Sequence, residues 1–553
     1  MKNFRKIILI FLIGIAATIS GCKEKLELAP YNQLSDATAF ATPERCLLAL
    51  NGVYDAAQSG DYDPLNGTAH SVRGYPFGAA SIAQGEMRGE DMVNIATFYQ
   101  ITYLATYSTV SPNNVNMWIN LYLLINKANL SIDGFKAALA QGTISATTEA
   151  QYEAECRFLR AMAHHDLLIH FARPYLDGNG SALGVPYHDY AISSSSSLDK
   201  LKAQKRDLVS VCYAKMMTDL DFAIANLGAT VPATVPGAAV PAGANTFRAT
   251  KAAAYALRMR LKLHMGDWQG VITEGNNIIP TAAIPATNNT NYWTTVVSPI
   301  GGWKLELLPN GPFTNNQSTE SIFSIRNDAL DNTGVNASLA QMMGPNGSGR
   351  GLVAISPTIY NLPAWRCDDT RRSLLTLQGL SNTGTTSYFT KKYTDYVNQA
   401  DYAPYIRYAE VLLMQAEAEA RNAAAISQRA IDLLNLVRNR AIPTPVTNQY
   451  TAASFADKNA LIKAILDERR IEFLAEGKRW GDIHRLAKDP VFSTGGIPAK
   501  AANGYSTLAA YGCSLATPAL TVTAIPYSDY RFLWPIPQDE RTQNPIIDQN
   551  PGY

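Results

Sequence analysis

Residues 405–443 read YIRYAEVLLMQAEAEARNAAAISQRAIDLLNLVRNRAIP. Ile406, Ala409, Leu413, Ala416 and Ala420 recur every three or four positions, the spacing of one face of a helix over 405–421. Ile426, Ala430, Leu433, Val437 and Ala441 repeat the pattern over 426–441, and Pro443 stops it. The few residues between the two stripes leave room only for a turn, so the spacing predicts two helices folded back on each other. Small residues on the seam allow the neighbouring helix to approach closely.

Outward from this hairpin the same period returns. It marks helices over 151–171 (Tyr152, Cys156, Leu159, Ala163, Leu167, His170), 205–227, closed by Gly228, and 248–264, ended by Gly266-Asp267. Residues 461–486 are expected to form the last long helix. Helix pairs of this kind suggest tetratricopeptide-like units, although the consensus of that motif at a 34-residue period is absent. Between the helices lie segments of other character. Residues 58–90 hold Gly, Asp, Asn, Tyr and Phe without helical period. Residues 276–404 are richer still in Asn, Thr, Gly and Pro, with strand-like pieces such as 321–326. Residues 229–246 are Pro/Ala/Gly-rich and read as a surface excursion. The fold class is therefore mainly α, with a loop-rich lobe carrying short strands. A loop region as long as 276–404 is expected to be functional.

The chain has 553 residues, 47 Lys+Arg and 46 Asp+Glu, with 47% apolar residues. That is enough to bury a large core, and the charge balance excludes broad phosphate neutralisation, hence nucleic-acid binding of that kind. Lys2, Arg5 and Lys6 precede an apolar stretch over 7–17 that is too short to span a bilayer permanently, and Ile19-Ser20-Gly21-Cys22 follows. Small residues before a Cys at this place resemble a bacterial lipobox. Residues 1–21 are then a signal peptide, and Cys22 is the acylated residue that anchors the chain to a membrane. Removal of the leader leaves 44 basic and 46 acidic groups, a net charge of −2. The remaining cysteines are Cys46, Cys156, Cys212, Cys367 and Cys513. No CxxC occurs, Cys156 and Cys212 fall inside helical patterns as small apolar residues, and no disulfide pair can be assigned.

Several segments, in order, resemble one family. Glu27-Leu28-Ala29-Pro30 after Cys22, Ala154-Glu155-Cys156-Arg157-Phe158-Leu159-Arg160-Ala161, Tyr405 to Leu413, and Leu434-Asn435-Leu436-Val437-Arg438-Asn439-Arg440-Ala441 are similar to stretches of SusD/RagB-type nutrient-binding lipoproteins. So are Asp467 to Asp482, with Glu476-Gly477-Lys478-Arg479-Trp480, and the end of the chain from Pro535-Ile536-Pro537 to Gln549-Asn550-Pro551-Gly552-Tyr553. Cys156 departs from the usual Ala of that pattern, and the loops match nothing. The resemblance implies a SusD-like domain over 22–553 with four tetratricopeptide-like helix pairs. It implies an outer-membrane lipoprotein exposed at the surface, which binds oligosaccharide and delivers it to a TonB-dependent SusC-type barrel. A peptide ligand, as in RagB-type members, is the alternative, and an extracellular glycan hydrolase is the third reading.

No GxSxG, HExxH or phosphate-binding loop is present, and no cofactor or metal is expected. Asp166 and His170 stand one helical turn apart, but no third ligand accompanies them. On the expected last helix, Ile462, Leu466, Arg469, Phe473, Glu476, Trp480 and Ile483 share a stripe, so Arg469 and Glu476 are read as a structural ion pair on an apolar face. Sugars are held by aromatic faces with amides, carboxylates and guanidinium groups on the hydroxyls. The candidate ligand-binding residues are accordingly the loop aromatics Tyr62, Tyr75 and Phe77, then Tyr292, Trp293, Trp303 and Phe313. Arg73, Asn291 and Asn315 are the candidate polar partners. Trp293 and Trp303 rank first, because both lie amid Asn, Thr and Gly and are expected to be exposed.

Overall fold

A computed structural model describes residues 36–59, 61–63, 68–70, 74–232, 234–235, 238–239, 241, 243–284, 291–334 and 336–553. The leader, Cys22 and Glu27 to Pro30 lie outside the described residues, as does Arg73.

The helices of eight or more residues are α1 (Pro43–Ser59), α2 (Ala79–Met87), α3 (Pro112–Ala140), α4 (Ala146–Phe171), α5 (Ser195–Lys202) and α6 (Val209–Asn226), followed by α7 (Lys251–Met265), α8 (Trp268–Gly275), α9 (Tyr408–Asn422), α10 (Gln428–Asn439), α11 (Lys458–Glu472) and α12 (Lys478–Arg485). Their ends obey local chemistry. Pro112 opens α3, where its missing N–H is no loss. Ser145, Thr250, Asp267, Ser427 and Asp457 cap α4, α7, α8, α10 and α11 by accepting a bond from a first-turn N–H. Gly266 ends α7 at φ 72°, a conformation that suits a residue without Cβ.

The long helices form a continuous stack. α1 packs on α3, α3 on α4, α4 on α6, α6 on α7, α7 on α8, α8 on α9, and α9 on both α10 and α11. The α9–α10 hairpin is where the alanine seam places it, with Ala409, Ala416, Ala420 and Ala430 buried. Among the described residues no helix is long and apolar enough to cross a membrane.

Three expectations are corrected. Residues 461–486 are two helices, because the chain breaks between Glu472 and Lys478. Ala475 and Gly477 there take φ of 64° and 75°. A Cβ on Gly477 would lie 3.0 Å from the backbone of Ile82 on α2, so only glycine fits without a shift. Residues 58–90 contain the buried helix α2, which packs on α12 beside this break. Arg469 and Glu476 are not partners. Arg469 donates to Asp482 at 2.9 and 3.1 Å, while Glu476 accepts from Arg407 and Lys392.

The region 276–404 folds as short strands and single turns rather than helices. The strands of three or more residues are β1 (Asp61–Asp63), β2 (Thr68–His70), β3 (Met92–Asn94), β4 (Ser321–Ile325), β5 (Val353–Ile355), β6 (Thr376–Leu380), β7 (Thr386–Thr390) and β8 (Ala403–Arg407). β3 pairs antiparallel with β5, β6 with β7, and β4 with β8 across a bulge. The β4–β8 pair ends on a buried charge cluster. Arg407 bonds Glu476 at 2.9 and 2.7 Å, Glu472 at 2.9 Å, and Glu320. Arg440 reaches Glu320 and Glu472, and Arg371 reaches Glu468 at 2.6 Å and Glu472 at 3.0 Å. This cluster joins the loop lobe to α10 and α11.

The C-terminal tail lies over the helices as rigid punctuation. Trp534 stacks on His170 at 4.5 Å, and Asn550 donates to the carbonyls of Phe171 and Trp534 at 2.8 and 2.7 Å. Cys367 and Cys513 form a disulfide across 146 positions, while Cys46, Cys156 and Cys212 are free and buried.

Candidate functional site

The aromatic residues favoured from the sequence are core residues. Trp293 is 5% exposed, Trp303 4%, Tyr75 1%, Phe77 4% and Tyr292 1%. The expectation that they stand exposed is therefore corrected, and a reason is visible at four of them. Trp293 donates its indole N–H to the Leu307 carbonyl at 3.2 Å and meets Tyr292 edge to face at 5.7 Å. The Tyr292 hydroxyl accepts from Asn439 on α10, and burial pushes its pKa up to about 12. Phe77 packs edge to face on Tyr405 at 5.2 Å, and Gln84 donates to the Tyr75 hydroxyl. Polar neighbours along the chain mark a loop backbone, but they do not decide which way a large ring points. The apolar area of a Trp drives it under the loop wherever a surface is available.

The other candidates scatter. Phe313 is half-buried, with Lys392 and Arg407 at 4.9 and 5.3 Å from its ring centre. Asn291 is exposed at φ 75°, and Asn315 is exposed and accepts from the Gln317 amide. Tyr62 belongs to β1, and its side chain lies outside the described residues. Asp166 accepts from the Tyr405 hydroxyl, and His170 faces Arg88. Among the described residues no group of three or more His, Cys, Asp or Glu is placed to hold a metal ion.

What the fold does expose is a small lobe built on β3, β5 and β7, which adjoin one another. A single turn, Thr97–Tyr99, follows β3 and presents Phe98 half-buried. The Arg350 guanidinium lies 5.3 Å from the Phe98 ring centre and donates to the Asn336 amide oxygen at 2.7 Å. On the β6–β7 hairpin, Gln378 is exposed and donates to the hydroxyl of half-buried Tyr388 at 2.8 Å. Behind Tyr388 stand Tyr360 at 4.4 Å and Tyr511 at 5.2 Å. Tyr511 anchors its own segment by donating to the Ile355 carbonyl at 2.8 Å, and Cys513 is tied to Cys367 two residues beyond. Two rings thus offer a partly open face, each with a planar polar group attached, and Tyr388 is held from behind. Such a surface can stack on a flat apolar face and bond hydroxyls at its edge. Phe98 lies just beyond residues 58–90, and Arg350, Gln378 and Tyr388 fall within 276–404. The pair Phe98-Tyr99 directly after a short strand was the available signal.

Two carboxylates away from this lobe are strongly shifted. Burial opposes ionisation of Glu410, but Arg260, at 2.9 and 2.8 Å, and Lys478 hold it at about 2. Burial first, and then the nearby charge of Asp91, push Glu86, on α2, up to about 8. Both lie inside the helical core.

A model of the SusD family matches residues 368–553, and a model described as starch-binding associating with outer membrane matches residues 79–263. The chain belongs to the SusD/RagB family. Two Formosa agariphila relatives, SusD-like proteins P38 and P2, are each 24% identical to it. The first aligns over 88% of this chain and 93% of its own, the second over 90% and 93%. A SusD superfamily protein from Bacteroides fragilis superposes with a TM-score of 0.68 at 23% identity, covering 92% of this chain and 99% of its own. A laminarin-binding SusD-like protein superposes at 0.61 and 19% identity, covering 93% and 100%. These likenesses establish the SusD-like, α-rich fold that the helix stripes indicate.

Proposed function

We propose that this SusD-like protein binds oligosaccharide on the lobe around Phe98, Arg350, Gln378 and Tyr388. It is held at the outer membrane by acylated Cys22 and delivers its ligand to a TonB-dependent SusC-type transporter, without catalysing a reaction. The observation that carries the reading is the pairing of each half-open ring with a planar hydrogen-bonding group, Phe98 with Arg350 and Tyr388 with Gln378. The ring supplies a stacking face for sugar C–H bonds, and the guanidinium and amide supply donors and acceptors for hydroxyls. The laminarin-binding relative supports a glycan as the ligand class. The family model that names outer-membrane association supports the location.

The test begins with glycan and peptide arrays and continues with titration calorimetry. Phe98→Ala and Arg350→Ala should each weaken binding of the glycan found by about 2 kcal/mol, near thirtyfold, with the melting temperature unchanged. Binding of peptides alone, or turnover of any polysaccharide, would overturn the reading. Membrane fractionation of Cys22→Ala tests the anchor separately: the variant should leave the membrane fraction or remain unprocessed, and normal anchoring would refute acylation at that residue.

A further inference from the structure

Away from this lobe, α1, the end of β4 and the Phe247-Arg248 pair line an open cavity of about 400 Å³. Leu47, Leu48 and Phe247 form its apolar side. Its polar side carries three carboxylates, Glu44, Asp55 and Asp331, beside Arg248 and Arg326. Asp55 and Asp331 both line it, and among the described residues neither carboxylate has a cationic partner. Burial and then the nearby charges of Asp55 and Asp328 push the Asp331 carboxyl up, against the attraction of Arg326. The arginines at the wall are already engaged. Arg248 bonds Glu155 at 2.9 and 2.5 Å, and Arg326 bonds Asp328 at 2.9 Å.

Gln58 gives independent evidence. It lines the cavity and is 4% exposed. Its Nε2 donates to the carbonyls of Arg326 and Asp331 at 2.9 and 3.1 Å, which fixes the orientation of the amide. Its Oε1 is buried with no hydrogen-bond partner among the described residues. A buried amide oxygen without a donor is destabilising, and a ligand that brings donors removes that cost.

We propose that this cavity is a second binding site, for an organic cation: a primary ammonium or guanidinium carried on an apolar body. The cationic head donates to Asp55, Asp331 and the Gln58 amide oxygen, and the body packs on Leu47, Leu48 and Phe247. A cation supplies only donors, which these three acceptors can take up, and its charge offsets that of the carboxylates.

The probe is tyramine, titrated calorimetrically into the full chain purified in detergent. Tyrosol, which carries a hydroxyl in place of the amine, and calcium chloride are titrated beside it. Tyramine should bind, more weakly as salt is raised, and tyrosol should give no binding heat. Asp55→Asn together with Asp331→Asn should weaken tyramine at least about tenfold at an unchanged melting temperature. Absence of tyramine binding, equal binding of tyrosol, displacement of tyramine by calcium, or a salt-independent affinity in the parent would each overturn the proposal. So would a folded double variant that binds like the parent. None of these results bears on the glycan lobe, since Phe98, Arg350, Gln378 and Tyr388 do not line the cavity.

Discussion

Replacing Arg407 by alanine probes the cluster that joins the loop lobe to the helices. The guanidinium is fully buried and bonds three carboxylates, those of Glu476, Glu472 and Glu320. After its removal Glu476 keeps Lys392 at 2.6 Å, and Glu472 keeps Arg440 and Arg371. No carboxylate is left wholly bare, yet all three lose a charge-assisted bond in a dry interior. Breaking a buried pair costs about 3–5 kcal/mol, and a residue bridging three acids belongs at the upper end. Arg469→Ala is the internal comparison. Arg469 serves one carboxylate, Asp482, which retains Arg485 at 2.8 Å, so its loss belongs near the lower end. An unfolding entropy of about 2.1 cal/mol/K per residue, taken over the chain, converts these costs to about 4 °C for Arg407→Ala and 2–3 °C for Arg469→Ala. Differential scanning calorimetry at one scan rate measures both. Melting of Arg407→Ala within about 1 °C of the parent would refute the reasoning, because the cluster would then carry no net attraction. An unchanged melting temperature with lost glycan binding would place Arg407 in the ligand site instead.

Trp293→Ala should cost about 3–5 kcal/mol of stability, because it empties a buried ring site and removes the bond to Leu307, while glycan affinity in calorimetry stays at the parent value; the reverse pattern would return Trp293 to the binding surface. Stability should also fall on both sides of the mildly acidic range. Glu410 at about 2 contributes stability that is complete above about pH 4.5 and is lost as pH falls towards 2, whereas Glu86 at about 8 contributes stability that is complete below about pH 4.5 and is lost as pH rises through 8. Glu86→Gln should therefore be more stable than the parent at pH 9, by on the order of a few kcal/mol, and identical pH profiles for the two proteins would sink this assignment.

The helical half of the molecule could be read from spacing because its helices are amphipathic. The stripe over 405–421 and the one over 426–441 end within three residues of α9 and α10. Helix α2 escaped the same reading for a physical reason. Eight of its nine residues are buried, so it has no polar face and therefore no period. The break after Glu472 was hidden because the stripe from Ile462 to Ile483 keeps its spacing across it, and Glu476-Gly477 is the one local sign of a turn. The site divides in the same way. Composition located the loop lobe, since Asn, Thr and Gly report backbone freedom along the chain. Exposure of a ring depends on what packs above it from distant segments. Trp303 is buried and Phe98 half-buried, and the neighbours of neither along the sequence disclose it.

The Cys367–Cys513 bond turns the span between these residues into a closed covalent ring. That ring contains the β6–β7 hairpin, all of α9 to α12, and most of the cluster around Arg407. A protease that cuts any one exposed turn inside it, such as 381–385 or 423–427, opens the ring without releasing either piece. The two cut ends remain linked through sulfur, and the buried ion pairs and strand pairing hold them in register. For a molecule proposed to bind its ligand at the outer membrane, a first nick is then a scar rather than a loss of the ligand-binding lobe.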